Sequence, residues 1–337
     1  MICCVPDVKE TYANMKILFD LTNLNLIPFK FVSDLKLTLT VNGLQTAVSS
    51  YPSPFCFVTL KSMREYNGED EFIDEDVSEA DDIVLNERGC RDTNTSCGSL
   101  RTYGDIRADY ARFVQLGGKK ENAKICRSTI NPPLFESEPD DMPVIEKCPL
   151  PELHLLQGFV NHLFWDGLVQ DFGREKALEW PKALNLVSKS YHGEVFEGNA
   201  CRKLLKNPDA MTEIKDVPYI KLLPYISACK AMDKVVQNAF GNKLQGDVST
   251  STQELVRVMK GVNLSETLKF HCILNHIGHC LEFLNGKGLG FWSEQSGESI
   301  HRVFKKVWEK YKVNNMYSDS YAKQLKRAVI EFSSARL

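Results

Sequence analysis

The chain has 337 residues but no apolar run approaching the roughly 18 residues that a membrane-spanning helix requires. Its first residues, Met1 to Asp7, lack both the basic n-region and the long apolar h-region of a secretory signal. No Cys-x-x-Cys pair occurs among the eleven cysteines, so the compact spacing of ribbon-type zinc sites and dithiol redox centres is missing. The cysteines are odd in number and scattered. Without an export signal, this favours reduced thiols in the nucleus or cytoplasm over a disulfide framework. There is no internal repeat. There is also no global positive charge, the formal net being −3, so whole-chain electrostatics gives no argument for nucleic acid. What is present is an ordinary globular composition, 43% hydrophobic and 25% charged, with enough apolar residues for a sizeable core.

The charge is unevenly spread. Between Glu65 and Asp82 there are ten acids and no base, which reads as an exposed loop. From His301 to Leu337 there are nine bases against three acids, a basic element able to meet phosphates or simply a solvated helix face. Near the start, Ile2–Val5, Phe29–Val32 and Phe55–Leu60 read as strands, and the segments after Asp7 and from Leu35 to Leu44 as helices. That β-α-β-α-β order predicts an α/β unit over 1–61. Residues 62–150 read as acidic, irregular and proline-punctuated, with a helix over Tyr103–Leu116. Residues 151–290 read as nearly all helix, broken at Gly193, Pro208, Gly241, Gly261 and the glycines at 286, 288 and 290. Residues 291–337 form a closing pair of helices.

Two groups of residues carry chemistry. Asp34 follows directly on an expected strand, where open α/β sheets build sites, although an Asp there is more often a turn former or helix cap. Glu298 lies about one turn into a helix, and alone it is an ordinary solvated glutamate. Divalent-metal nucleases need converging carboxylates on Mg²⁺ or Mn²⁺, and such a pair would be part of that set. The second group is His271, Cys272, His276 and Cys280. Cys272, His276 and Cys280 are spaced for one helix face, whereas His271 and His276 stand about 140° apart and call for a bend between them. Buried thiols and core histidines are the plain alternative to a zinc site.

Three blocks in order then resemble the C-terminal part of DDE transposases related to Transib elements and to the catalytic subunit of the V(D)J recombinase. They are Phe196 to Leu205 (with Gly198, Asn199, Arg202 and Lys203), Phe270 to His276, and Trp292 to Ser299, in which Glu298 lies six residues after Trp292. Phe31 to Leu37, containing Asp34, and Pro52 to Cys56 resemble two upstream blocks less specifically. The resemblance implies an RNase H-like domain, here incomplete, interrupted by a large helical insertion. It implies Asp34 and Glu298 as catalytic, Mg²⁺- or Mn²⁺-holding acids, and a zinc site using Cys56, His271 and His276. It further implies DNA as partner, a homodimer, and an ancestral activity of DNA cleavage and strand transfer. Trp292 would stack on a base, or else sit in the core. In a binding module, Arg302, Lys305, Lys306, Lys310, Lys312, Lys323, Lys326 and Arg327, joined by Arg202 and Lys203, would contact DNA or a partner protein.

Two departures from the family pattern shape the expectation. The first two strands and the first catalytic Asp have no counterpart ahead of Ile2. Ser53 stands where the zinc knuckle has its first Cys, and a hydroxyl is a poor zinc ligand, so Cys272 or Cys280 would have to substitute. The expectation is a catalytically incomplete, transposase-derived protein. The alternatives are a domesticated DNA- or protein-binding module, an active transposase whose gene model begins too late, or an unrelated all-helical scaffold.

Overall fold

The computed structural model describes residues 9–22, 28–65, 99–188, 195–262, 264–293, 295–313, 315 and 318–334. The helices run in chain order as α1 (Tyr12–Thr22), α2 (Leu35–Val41), α3 (Leu60–Glu65), α4 (Tyr103–Gln115), α5 (Val144–Lys147), α6 (Glu152–His162), α7 (Val169–Phe172), α8 (Arg174–Ala177), α9 (Glu179–Ala183), α10 (Gly198–Lys206), α11 (Tyr219–Ala239), α12 (Val248–Met259), α13 (Leu268–Glu282), α14 (Gln295–Trp308) and α15 (Asp319–Ser334). The helices expected over 103–116, 198–206, 218–240 and 266–284 are therefore present with small shifts at their ends.

The expected α/β unit is not. The structure is 61% helical with 3% strand and no sheet, so an incomplete RNase H-like core is ruled out for the described residues. The strand expected at Ile2–Val5 lies outside them, as does most of the acidic run. Phe29 to Val32 has no regular structure. Its alternating apolar pattern is satisfied another way: Phe29 and Phe31 lean on Phe135 at ring distances of 6.1 and 5.5 Å, and Phe19 closes on Phe135 at 5.5 Å. The Phe31 N–H donates to the Lys147 carbonyl at 2.8 Å. Alternation licenses a half-buried extended segment, but a sheet needs a neighbour to pair with, and here an aromatic cluster buries that segment instead. At Phe55–Leu60 only an isolated bridge from Cys56 to Leu100 forms, and α3 begins at Leu60 itself.

The proline-punctuated stretch before α6 is no exposed linker. Leu134, Phe135, Val144, Ile145, Cys148 and Leu150 are all buried, and they join a single apolar cluster that runs from Phe19 to Leu289. Within it, α6 and α13 lie side by side, with Phe159 stacked on Phe270 at 5.3 Å and 6°. Gly158 permits the close approach, because a Cβ there would run into the Lys269 side chain. The helix of α6 continues through a π-helical turn, Leu163–Leu168, into α7. At that junction His162 is held by Asp166 through Nδ1 (2.7 Å) and by the Ser265 carbonyl through Nε2 (2.7 Å), fixing the segment that leads into α13. α14 and α15 pack on each other around a separate small cluster of Phe304, Trp308, Ala328 and Phe332.

Candidate metal centre

Cys56, His271 and His276 come together in the interior. The Cys56 Sγ lies 3.2 Å from Nε2 of each histidine, and the three potential donor atoms fall within 4.8 Å of one another. All three residues are essentially inaccessible, at 0%, 1% and 0% exposure.

Each is placed by local chemistry. Cys56 ends a tight turn that begins at Ser53, whose Oγ accepts the backbone N–H groups of Phe55 (3.1 Å) and Cys56 (3.3 Å). A serine hydroxyl that satisfies nearby amides is a common turn device. The turn is pinned from outside by the Arg101 N–H, which donates to the Phe55 carbonyl at 2.8 Å. The histidines ride on α13, which Thr267 caps by accepting the Phe270 N–H. The expected bend between His271 and His276 is absent. α13 is continuous, His271 sits in its first turn, and the two rings converge from adjacent faces at a centroid distance of 5.0 Å and 74°.

Two residues that the spacing did not single out complete the environment. Glu266, buried just ahead of the helix cap, accepts from Nδ1 of His271 at 2.8 Å. Asn275 Nδ2 lies 3.4 Å from the same carboxylate oxygen and donates to the His271 carbonyl at 3.2 Å. A carboxylate behind a histidine fixes the tautomer and leaves Nε2 as the ligand atom. Burial pulls the His271 imidazole down, but the Cys56 sulfur and the Glu266 carboxylate outweigh it and raise it to about 9. For His276 burial dominates and lowers the imidazole.

The donor set fits a metal ion. Tetrahedral zinc with ordinary Zn–S and Zn–N lengths would separate sulfur and nitrogen by about 3.6 Å, close to the 3.2 Å found. Cys272 and Cys280, the expected substitutes for a fourth ligand, do not join the group among the described residues. Both are buried, and the Cys280 Sγ accepts the Leu150 N–H at 3.5 Å. Burial drives the Cys272 thiol well above its ordinary value and Cys280 up to about 12.

Asp34 has a different occupation: it is the N-cap of α2, its Oδ1 accepting the Leu37 N–H at 2.7 Å. Glu298 belongs to α14, and its side chain lies outside the described part. Arg202 is ion-paired to the buried Glu152 of α6, which also accepts the Ser293 hydroxyl at 3.1 Å. Lys203 donates to the Leu184 carbonyl at 2.7 Å. Trp292 is half-buried against the main core, with Phe291 edge-on at 5.2 Å. Arg302, Lys305 and Lys306 stand exposed on α14, and Lys323, Lys326 and Arg327 on α15, with the apolar faces turned toward each other. No protein-family model matches the chain, and no curated protein matches it either.

Proposed function

We propose that this protein is a zinc-stapled helical module of transposase ancestry that works by binding DNA and not by strand transfer. The observation that carries the zinc half is the convergence of one cysteine sulfur and two imidazoles in a water-excluded pocket, with Glu266 behind His271. Mixed sulfur and nitrogen donors suit zinc and disfavour Mg²⁺ or Ca²⁺, which take hard oxygen ligands. The ion would tie the turn at Cys56 to α13.

The exposed bases on α14 and α15 support the DNA half, since they form a cationic surface on a helical pair with its own small core. Asp34 has a structural task as the N-cap of α2. The resemblance that names DNA as partner rests on the ordered sequence blocks alone.

The test has two arms. Elemental analysis of the purified chain should find one zinc per chain, lost in His276→Ala. Fluorescence anisotropy with duplex DNA should show affinity falling steeply between about 50 and 200 mM salt, as phosphate neutralisation demands. Flat salt dependence would remove the DNA half. Mg²⁺-dependent cutting that Glu298→Gln abolishes would overturn the binding-only reading.

A further inference from the structure

Beside the metal centre, and open to solvent, lies a cleft of about 1210 Å³ between α2, α6 and the segment entering α13. Its walls are mainly apolar, with Leu35, Leu39, Leu44, Met63, Trp165 and Leu268 among them. Concave, largely apolar walls with few charged groups are the usual make-up of small-molecule sites.

The charges that line it pair off, with one left over. Lys36 approaches Glu10 at 4.0 Å. His162 engages Asp166, and Glu266 engages His271. Lys269 has no hydrogen bond or ion pair among the described residues, although it lines the same cleft. Its stem lies along Gly158, the one place on α6 where the backbone is bare enough to admit it. Asp34 attracts the ammonium from a distance, but burial outweighs that and pulls Lys269 below its ordinary value. A partly buried cation on an apolar wall with no counter-ion is costly unless a ligand supplies one.

We propose that this cleft binds a small amphipathic carboxylate, with its apolar body against the leucine wall and its head on Lys269. The inference is independent of DNA binding and of the zinc site.

Dodecanoate, kept below its micellar concentration, is the probe, with dodecanol as the uncharged control, both measured by calorimetry on the full chain. Dodecanoate is expected to bind the native protein on the order of tenfold more tightly than dodecanol, the worth of one charge-assisted hydrogen bond. Lys269→Met keeps the stem and should erase that preference. Ala47→Trp, at an exposed position on the cleft wall, should weaken both probes without touching the charge. Failure of native protein to bind dodecanoate overturns the proposal. So does an undiminished preference in Lys269→Met, or unchanged binding of both probes in Ala47→Trp.

Discussion

Glu266 and His271 sit 2.8 Å apart, carboxylate oxygen to Nδ1, and both are buried. This contact orients the ring so that Nε2 faces Cys56. Glu266→Gln preserves the shape but weakens the orienting bond, and zinc affinity should fall about 10- to 100-fold, as for other outer partners of metal-bound histidines. Competition against a chromophoric chelator measures it. Unchanged affinity would mean that Glu266 serves packing alone.

Ser53→Cys tests whether a fourth donor can join Cys56, His271 and His276. The Ser53 Oγ already receives the Phe55 and Cys56 amides, so a sulfur at that position keeps acceptors for both. The substitution should tighten zinc binding. Ser53→Ala should instead leave two buried amides without their acceptor and cost about 1–3 kcal/mol of folding stability, read from urea unfolding.

The buried thiols give a pH-based expectation. Cys148, Cys201 and Cys280 are pushed up to about 12, chiefly by burial. A raised thiol pKa means that the reactive thiolate is scarce in the folded state, and scarcer still as pH falls. At roughly pH 8, iodoacetamide should therefore modify these residues only as fast as the chain opens. Mass-spectrometric labelling with and without urea distinguishes the two regimes. Native-state labelling at the rate of a free peptide thiol would contradict the burial of all three.

Arg202→Met removes the cation beside the Glu152 carboxylate, which is 1% exposed and also accepts from Ser293. Removing one partner of a buried pair is far more damaging than removing both. With Arg202 itself partly exposed, we expect a loss of about 2 kcal/mol. The double substitution with Glu152→Met should recover much of it. A thermal-shift series on the single and double variants settles the comparison.

Helices were legible because their information is local. α10, α11 and α13 each follow from an apolar stripe and a nearby breaker, and the ends move by only a few residues. The strands were not, because pairing is non-local. Phe29 and Phe31 carry the right alternation, yet what decides their fate is Phe135, about a hundred residues away. The grouping of Cys56, His271 and His276 follows from the resemblance, whereas spacing alone suggests an interruption of α13 that does not exist. Glu266 carries no spacing signal, since an acid five residues before a histidine is unremarkable until the helix cap at Thr267 turns it inward. Arg202 was read as a surface cation for the same reason: its partner Glu152 is fifty residues upstream and invisible to any local pattern.

Cys56 and His271 are 215 positions apart in the chain. Drawing together ends so distant costs about 5 kcal/mol of loop entropy before any contact rewards it. During synthesis the amino-terminal thiol must wait, exposed to oxidants and to competing cations, until α13 has left the ribosome. Any ion held there would be captured late in the protein's biogenesis, a lock turned after most of the helices are already in place.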